Sequence, residues 1–267
     1  MSLYYLSEKA ASLQSSPADY AREFLFNALN IGEAMLVSGA EVSRVEDSIQ
    51  RICYAYGAER VDVFAITTAI FATVYSPQFG AVSQTRRIKA SQYDLQRLAR
   101  LNNLSRRICK EMPLFEEVER ELEDIRNNTS RYSAAAMFII YALVSSSFTL
   151  FFGGAWLDVG ASAVIGCFLR CMDYISRALH LPSVIAAVLW SFAGGCLTQL
   201  FVWFGFGLSA ELISVGNVML LIPGMLLTNS MRDMFSGDTL SALLGFCNAF
   251  LLATLIAFGF ALPSYLW

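Results

Sequence analysis

The chain has 267 residues, 56% of them hydrophobic and 15% charged, with a net charge of −3, whereas soluble domains carry roughly 25% charged residues. Residues 1–133 hold 16 Lys/Arg and 17 Asp/Glu, but residues 134–267 hold only 3 and 5, too few to face water. A single soluble domain, a disordered chain and a secreted disulfide scaffold are excluded, and without a basic excess nothing points to nucleic acid.

The opening, MSLYYLSEKA, has no basic stretch followed by an apolar run, so no cleavable signal is expected and the start of the chain is assigned to the cytoplasm. Helical periodicity then runs over 19–38 through Phe24, Ala28, Ile31 and Met35, and Ser38-Gly39 marks its stop. A second helix is predicted over 41–56, with Val42, Val45, Ile49, Ile52 and Cys53 on one face, Asp47 and Arg51 as i,i+4 partners, and Gly57 as its end. Three β-rich stretches follow at 60–66, 68–75 and 81–88, the last two joined as a hairpin through Ser76–Gly80. Leu95, Leu98, Leu101, Leu104 and Ile108 predict a helix over 93–109, and an acidic helix follows at 115–125. The basic run from Arg86 to Lys110 reads as a solvated face partly paired with Glu116 to Asp124 rather than as a lipid- or phosphate-binding surface.

The remainder supplies five stretches long and apolar enough to span about 30 Å of hydrocarbon, at 133–152, 156–178, 183–206, 212–232 and 239–262. The predicted architecture is therefore an α-helical polytopic membrane protein with five transmembrane helices (131–267), preceded by a cytoplasmic α+β domain (1–130). Lys and Arg set the orientation. Arg126 and Arg131 hold the first half inside, Gly153 to Asp158 falls outside, and Arg170, Arg177 and His180 return inside. The 206–211 link is outside, Arg232 is inside, and Pro263 to Trp267 ends outside with Tyr265 and Trp267 as interfacial aromatics. The six cysteines form no CxxC pair and none has metal-ligand spacing to His180, the single histidine, so neither a zinc site nor a disulfide framework is expected. Cys167 and Cys171 read as packing filler.

Within the fourth span, Pro223-Gly224 interrupts the helix. Proline removes one hydrogen bond, and a broken helix at mid-membrane is how many transporters build a binding site. A structural kink is the competing reading. The run Thr228, Asn229, Ser230, Arg232, Asp233, Gly237, Asp238 would be costly against lipid, which favours a path. Asp173 is expected to neutralise Arg170 and Arg177 locally, while Asp158 and Glu211 are expected to be hydrated near the outer edge.

These residues carry a resemblance. Gly39-Ala40-Glu41-Val42-Ser43-Arg44-Val45-Glu46-Asp47, Thr67-Thr68, Arg86-Arg87-Ile88 and Leu101-Asn102-Asn103-Leu104-Ser105-Arg106 resemble the N-terminal domain of the threonine/serine exporter family. Leu221-Ile222-Pro223-Gly224, Leu227 to Asp233 and Gly237-Asp238 resemble that family's late-span signature, so the likeness covers roughly 20–262. It implies a multi-pass protein of the bacterial inner membrane, an exporter of threonine or serine or, in two-chain relatives, of a dicarboxylate. No cofactor is implied beyond an ion or proton gradient. The chain stops after its fifth span, so the resemblance implies the larger half of a split exporter completed by a small membrane subunit, in an inverted-repeat arrangement. One departure stands out: Gly245 and Asn248 occupy positions where the family pattern has an Arg and a Glu.

The predicted solute path comprises Asn217, Pro223, Gly224, Thr228, Asn229, Arg232, Asp233 and Asp238. Asp233 suits an ammonium and Arg232 or Asn229 a carboxylate. Glu41, Arg44, Glu46 and Asp47 are the candidate cytoplasmic gate. An enzyme or sensor in the first half, with Thr67 and Thr68 added to those four, is disfavoured because that half has no Ser/His/Asp or Cys/His set and no Gly-rich phosphate loop. A channel or simple anchor is weaker still, there being no repeated filter motif.

Overall fold

The computed structural model describes residues 16–89, 93–128 and 132–266. The opening decapeptide, Arg131 and Trp267, each used above for orientation, lie outside the described residues. Contacts divide the chain into two compact units, one drawn from Met1–Ser130 with Met225–Phe246 and the other from Arg131–Gly224 with Cys247–Trp267.

In the first unit, helix α1 (Pro17–Val37) begins at Ser16, whose hydroxyl accepts from the Asp19 N–H, with Pro17 at the first helical position. It ends at Ser38 and Gly39, where φ is +92°. Helix α2 (Val42–Ala55) buries Val42, Val45, Ile49, Ile52 and Cys53, the predicted face, and Asp47 and Arg51 pair at 2.8 Å. Strands β1 (Arg60–Ile66), β2 (Ala69–Ser76) and β3 (Gly80–Arg87) form one antiparallel sheet in chain order. Both connections are hairpins, β1 to β2 turning at Thr67-Thr68 as well as the predicted second pair. Phe24 of α1 stacks on Tyr56 and meets Phe79 edge-on, and Tyr20 and Tyr56 both contact Phe115, so aromatic rings bind the helices and the sheet into one core.

Helix α3 (Leu95–Glu111) and helix α4 (Phe115–Asn127) pack as an antiparallel pair. Arg100 pairs with Asp124 at 2.5 Å and Arg107 with Glu117 at 3.2 Å and with Glu121, which is the partial neutralisation the charge pattern predicted.

The second unit holds α5 (Ala134–Phe151), α6 (Trp156–Ala178), α7 (Ser183–Trp203), α8 (Ala210–Leu221) and most of α10 (Thr239–Leu266); α9 (Gly224–Ser236) belongs to the first. Among the described residues, four helices are long and apolar enough to cross a membrane, or five if the bent pair α8 and α9 counts as one span. The chain is thus mostly helical and polytopic by length and composition. One boundary differs from expectation: Pro263 lies inside α10, which runs to Leu266, rather than in a tail beyond the span. A proline this close to a helix end deletes one hydrogen bond of a nearly finished ladder, so the helix continues.

Candidate functional site

The turn between α1 and α2 leaves a helix start without its own cap. Glu41 occupies the N-cap position in an extended conformation, and its side chain makes no capping bond. The first N–H groups of α2 therefore need outside acceptors. Asp233 supplies one: its Oδ1 accepts from the Val42 N–H at 3.3 Å, and the residue is 4% exposed. A carboxylate there also complements the positive end of the helix dipole. Asn229 donates to the Gly39 carbonyl at 2.9 Å, and Arg232 forms an ion pair with Glu41. Positions 229, 232 and 233 share one face of α9 at helical spacing, so a single face is bonded at three points to residues 39–42.

The surroundings of that face are acidic. Asp238 donates its N–H to the Asp233 carbonyl at 2.9 Å. Burial raises its carboxyl above the usual aspartate range, and one of its carboxyl oxygens is buried without a hydrogen-bond partner among the described residues. Glu46 accepts from the Ala65 N–H at 2.6 Å; burial pushes its carboxyl up, the bond opposes this, and the charge of Asp238 adds to it. Tyr93 covers Gly39 so closely that a Cβ there would collide with its ring. Its phenol is raised by burial first and by the charge of Asp233 second.

Of the four candidate gate residues, Glu41 alone forms an ion pair with the late-span run. Asp47 pairs within its own helix and Arg44 is exposed. Thr228 lies on an exposed part of α9. The break itself is local: Ile222 is extended at φ −57°, ψ 131°, Pro223 has no N–H for the Met219 carbonyl, and the Gly224 N–H bonds Ile222 at 2.8 Å.

Asn217 belongs to the second unit. It is fully buried, accepting from the Ser145 hydroxyl and donating to Ser162 at 3.3 Å and to the Ile213 carbonyl at 2.9 Å. Thr149 and Ser162 are 2.6 Å apart. Gly166 and Gly216 allow this approach, since a Cβ on either would strike Ser145 or Thr149. Ser145, Thr149 and Ser162 escaped the sequence reading, although Ser145 and Thr149 stand four apart in an otherwise apolar helix. Asp158 corrects an expectation: far from hydrated, it is 1% exposed and accepts from Ala155 at 2.9 Å, Leu208 at 2.6 Å and Ser209 at 3.0 Å. It joins the starts of α6 and α8. Asp173 binds Arg170 at 2.6 Å and Arg177 at 3.1 Å, as its spacing predicted.

A family model described as threonine/serine exporter, ThrE, matches residues 27–267. The protein of Mycobacterium tuberculosis named "Probable threonine/serine exporter" is 23% identical over 243 residues, 90% of this chain and 45% of its own length. The threonine/serine exporter of Corynebacterium glutamicum is 20% identical over 222 residues, 80% of this chain and 45% of its own. Pheromone-regulated membrane protein 10 of Eremothecium gossypii is 20% identical over 249 residues, 90% of this chain and 33% of its own. The chain thus spans about half the length, or less, of these relatives, and no solved structure matches it. With a motif-level likeness at both ends and a family match over nearly all its length, the chain belongs to the threonine/serine exporter family.

Proposed function

We propose that this chain is part of a secondary transporter that moves a small hydrophilic solute, threonine or serine first, outward across a bacterial inner membrane. The observation that carries this reading is the polar face of α9, where Asn229, Arg232 and Asp233 all bond residues 39–42. In this reading Asp233 takes the ammonium of the solute and Arg232 or Asn229 its carboxylate. The corner at Gly39 to Val42 then occupies those groups when no solute does, which makes it a gate. Thr228 and Asp238 extend this proposed site within the first unit, and Asn217 and the Pro223-Gly224 break are the transport candidates of the second. Glu46, Arg44 and Asp47 support the gate from α2.

The matched relatives are about twice the length of the matched region. That supports a second membrane block, which we assign to a separate small subunit. A dicarboxylate such as succinate is the alternative solute.

Export by Asp233→Asn and Arg232→Gln tests the site. Both variants are expected to reach the membrane at normal levels and to lose most export, tenfold or more, as each removes a charge-assisted contact. Wild-type efflux in both would overturn the assignment.

A further inference from the structure

The second unit contains a cavity of about 510 Å³ where α6 turns into α7, larger than a single small amino acid needs. Its walls are largely apolar, built from Leu169, Leu181, Ala186, Ala187, Trp190 and Leu221. Asp173, Arg177 and His180 are among its polar and charged members. The Asp173 carboxylate is shared between Arg177 at 3.1 Å and Arg170, which stands behind the lining, at 2.6 Å. Asp173, Arg170 and Arg177 together carry one positive charge in excess, and the Nε of Arg170 is buried with no hydrogen-bond partner among the described residues. Arg170 is otherwise held, its guanidinium lying over the Tyr141 ring and bonded to Asp173. Arg177 is the free end of the cluster, 64% exposed by side chain. Next to it His180, at φ +53°, ends the helix and lines the same cavity.

An uncompensated cation at the end of a spanning helix favours an anion, and arginine matches phosphate through its planar fork. Apolar walls do not suit a hydrated ion, but they suit a hydrocarbon chain. Basic pockets between spanning helices are where acidic lipid headgroups bind. We infer that this cavity holds an anionic phospholipid, its phosphate against Arg177 and His180 and an acyl chain along Leu169, Ala186, Ala187 and Leu221. The inference is independent of the solute path proposed above.

The test uses the full chain purified in detergent and titrated separately with phosphatidylglycerol, phosphatidylcholine and inorganic phosphate, read by native mass spectrometry and thermal unfolding. Phosphatidylglycerol is expected to be retained and to raise the melting temperature, while the other two leave it unchanged. The double variant Arg177→Gln, His180→Gln removes the headgroup contacts. Ala187→Phe fills the cavity and leaves the charges alone. Each is expected to lower phosphatidylglycerol retention at least fivefold. Equal retention of phosphatidylcholine, a melting shift with inorganic phosphate alone, or wild-type retention in either variant would overturn the lipid site.

Discussion

Asp158 and Asp233 perform the same physical task in different units, each lending a carboxylate to backbone N–H groups at a helix start. Removing the first by Asp158→Ala strands three donors at once. The expected loss is on the order of 3 kcal/mol, since bonds to charged groups contribute more than neutral ones, and it is measured as a lowered melting temperature in detergent. Glu46 gives a pH-dependent effect. Its carboxyl is raised by burial, so the folded state holds that proton more tightly than the unfolded chain. The stability it contributes is complete below the ordinary glutamate pKa and is lost as pH rises through the elevated one. Glu46→Gln, whose amide oxygen still accepts from Ala65, is expected to melt above wild type at neutral pH, the difference shrinking toward zero on acidification. A constant difference across pH would contradict the burial argument. Local pairs such as Asp173 with Arg170 and Arg177 were legible because three- and four-residue spacing places them together. Asp158 was not, because its partners Leu208 and Ser209 lie about fifty residues on and are backbone groups with no residue signature.

Helices and strands of the first half follow from periodicity and from Gly and Pro punctuation, each boundary falling within two residues of expectation. The two late prolines show where such reading ends. Pro223 divides α8 from α9 while Pro263 sits inside α10. The difference is position and neighbours: Pro223 follows an extended Ile222 and precedes Gly224, whereas Pro263 stands one turn from a helix end. Pro223→Ala restores an N–H for the Met219 carbonyl and lets α8 run on into α9. If the break serves transport, efflux is expected to fall at least tenfold with membrane levels unchanged. Unchanged efflux would make the break a packing feature. The hydroxyl cluster of Ser145, Thr149 and Ser162 around Asn217 was half legible: Asn217 stands out as the one amide in α8, but a serine in an apolar helix is common and its partner on another helix is invisible to spacing.

For the whole molecule, the split in charge between halves announced the membrane part, and the motif order announced the family. The grouping of Met225–Phe246 with the first 130 residues did not follow from composition. Within it lie bonds between residues 190 and 191 apart, Asn229 to Gly39, Asp233 to Val42 and Arg232 to Glu41. Through them a late-span helix and the start of α2 lie in one compact unit, and this coupling is what makes residues 39–42 a gate in the proposed transporter. The most direct measurement is efflux of threonine, serine and succinate from cells lacking their own exporters, with this chain expressed alone and beside a candidate small membrane subunit, both verified in the membrane. Efflux of threonine or serine is expected when the subunit is present. No efflux of any of the three under either condition would contradict this reading and return attention to the first 130 residues as the functional part.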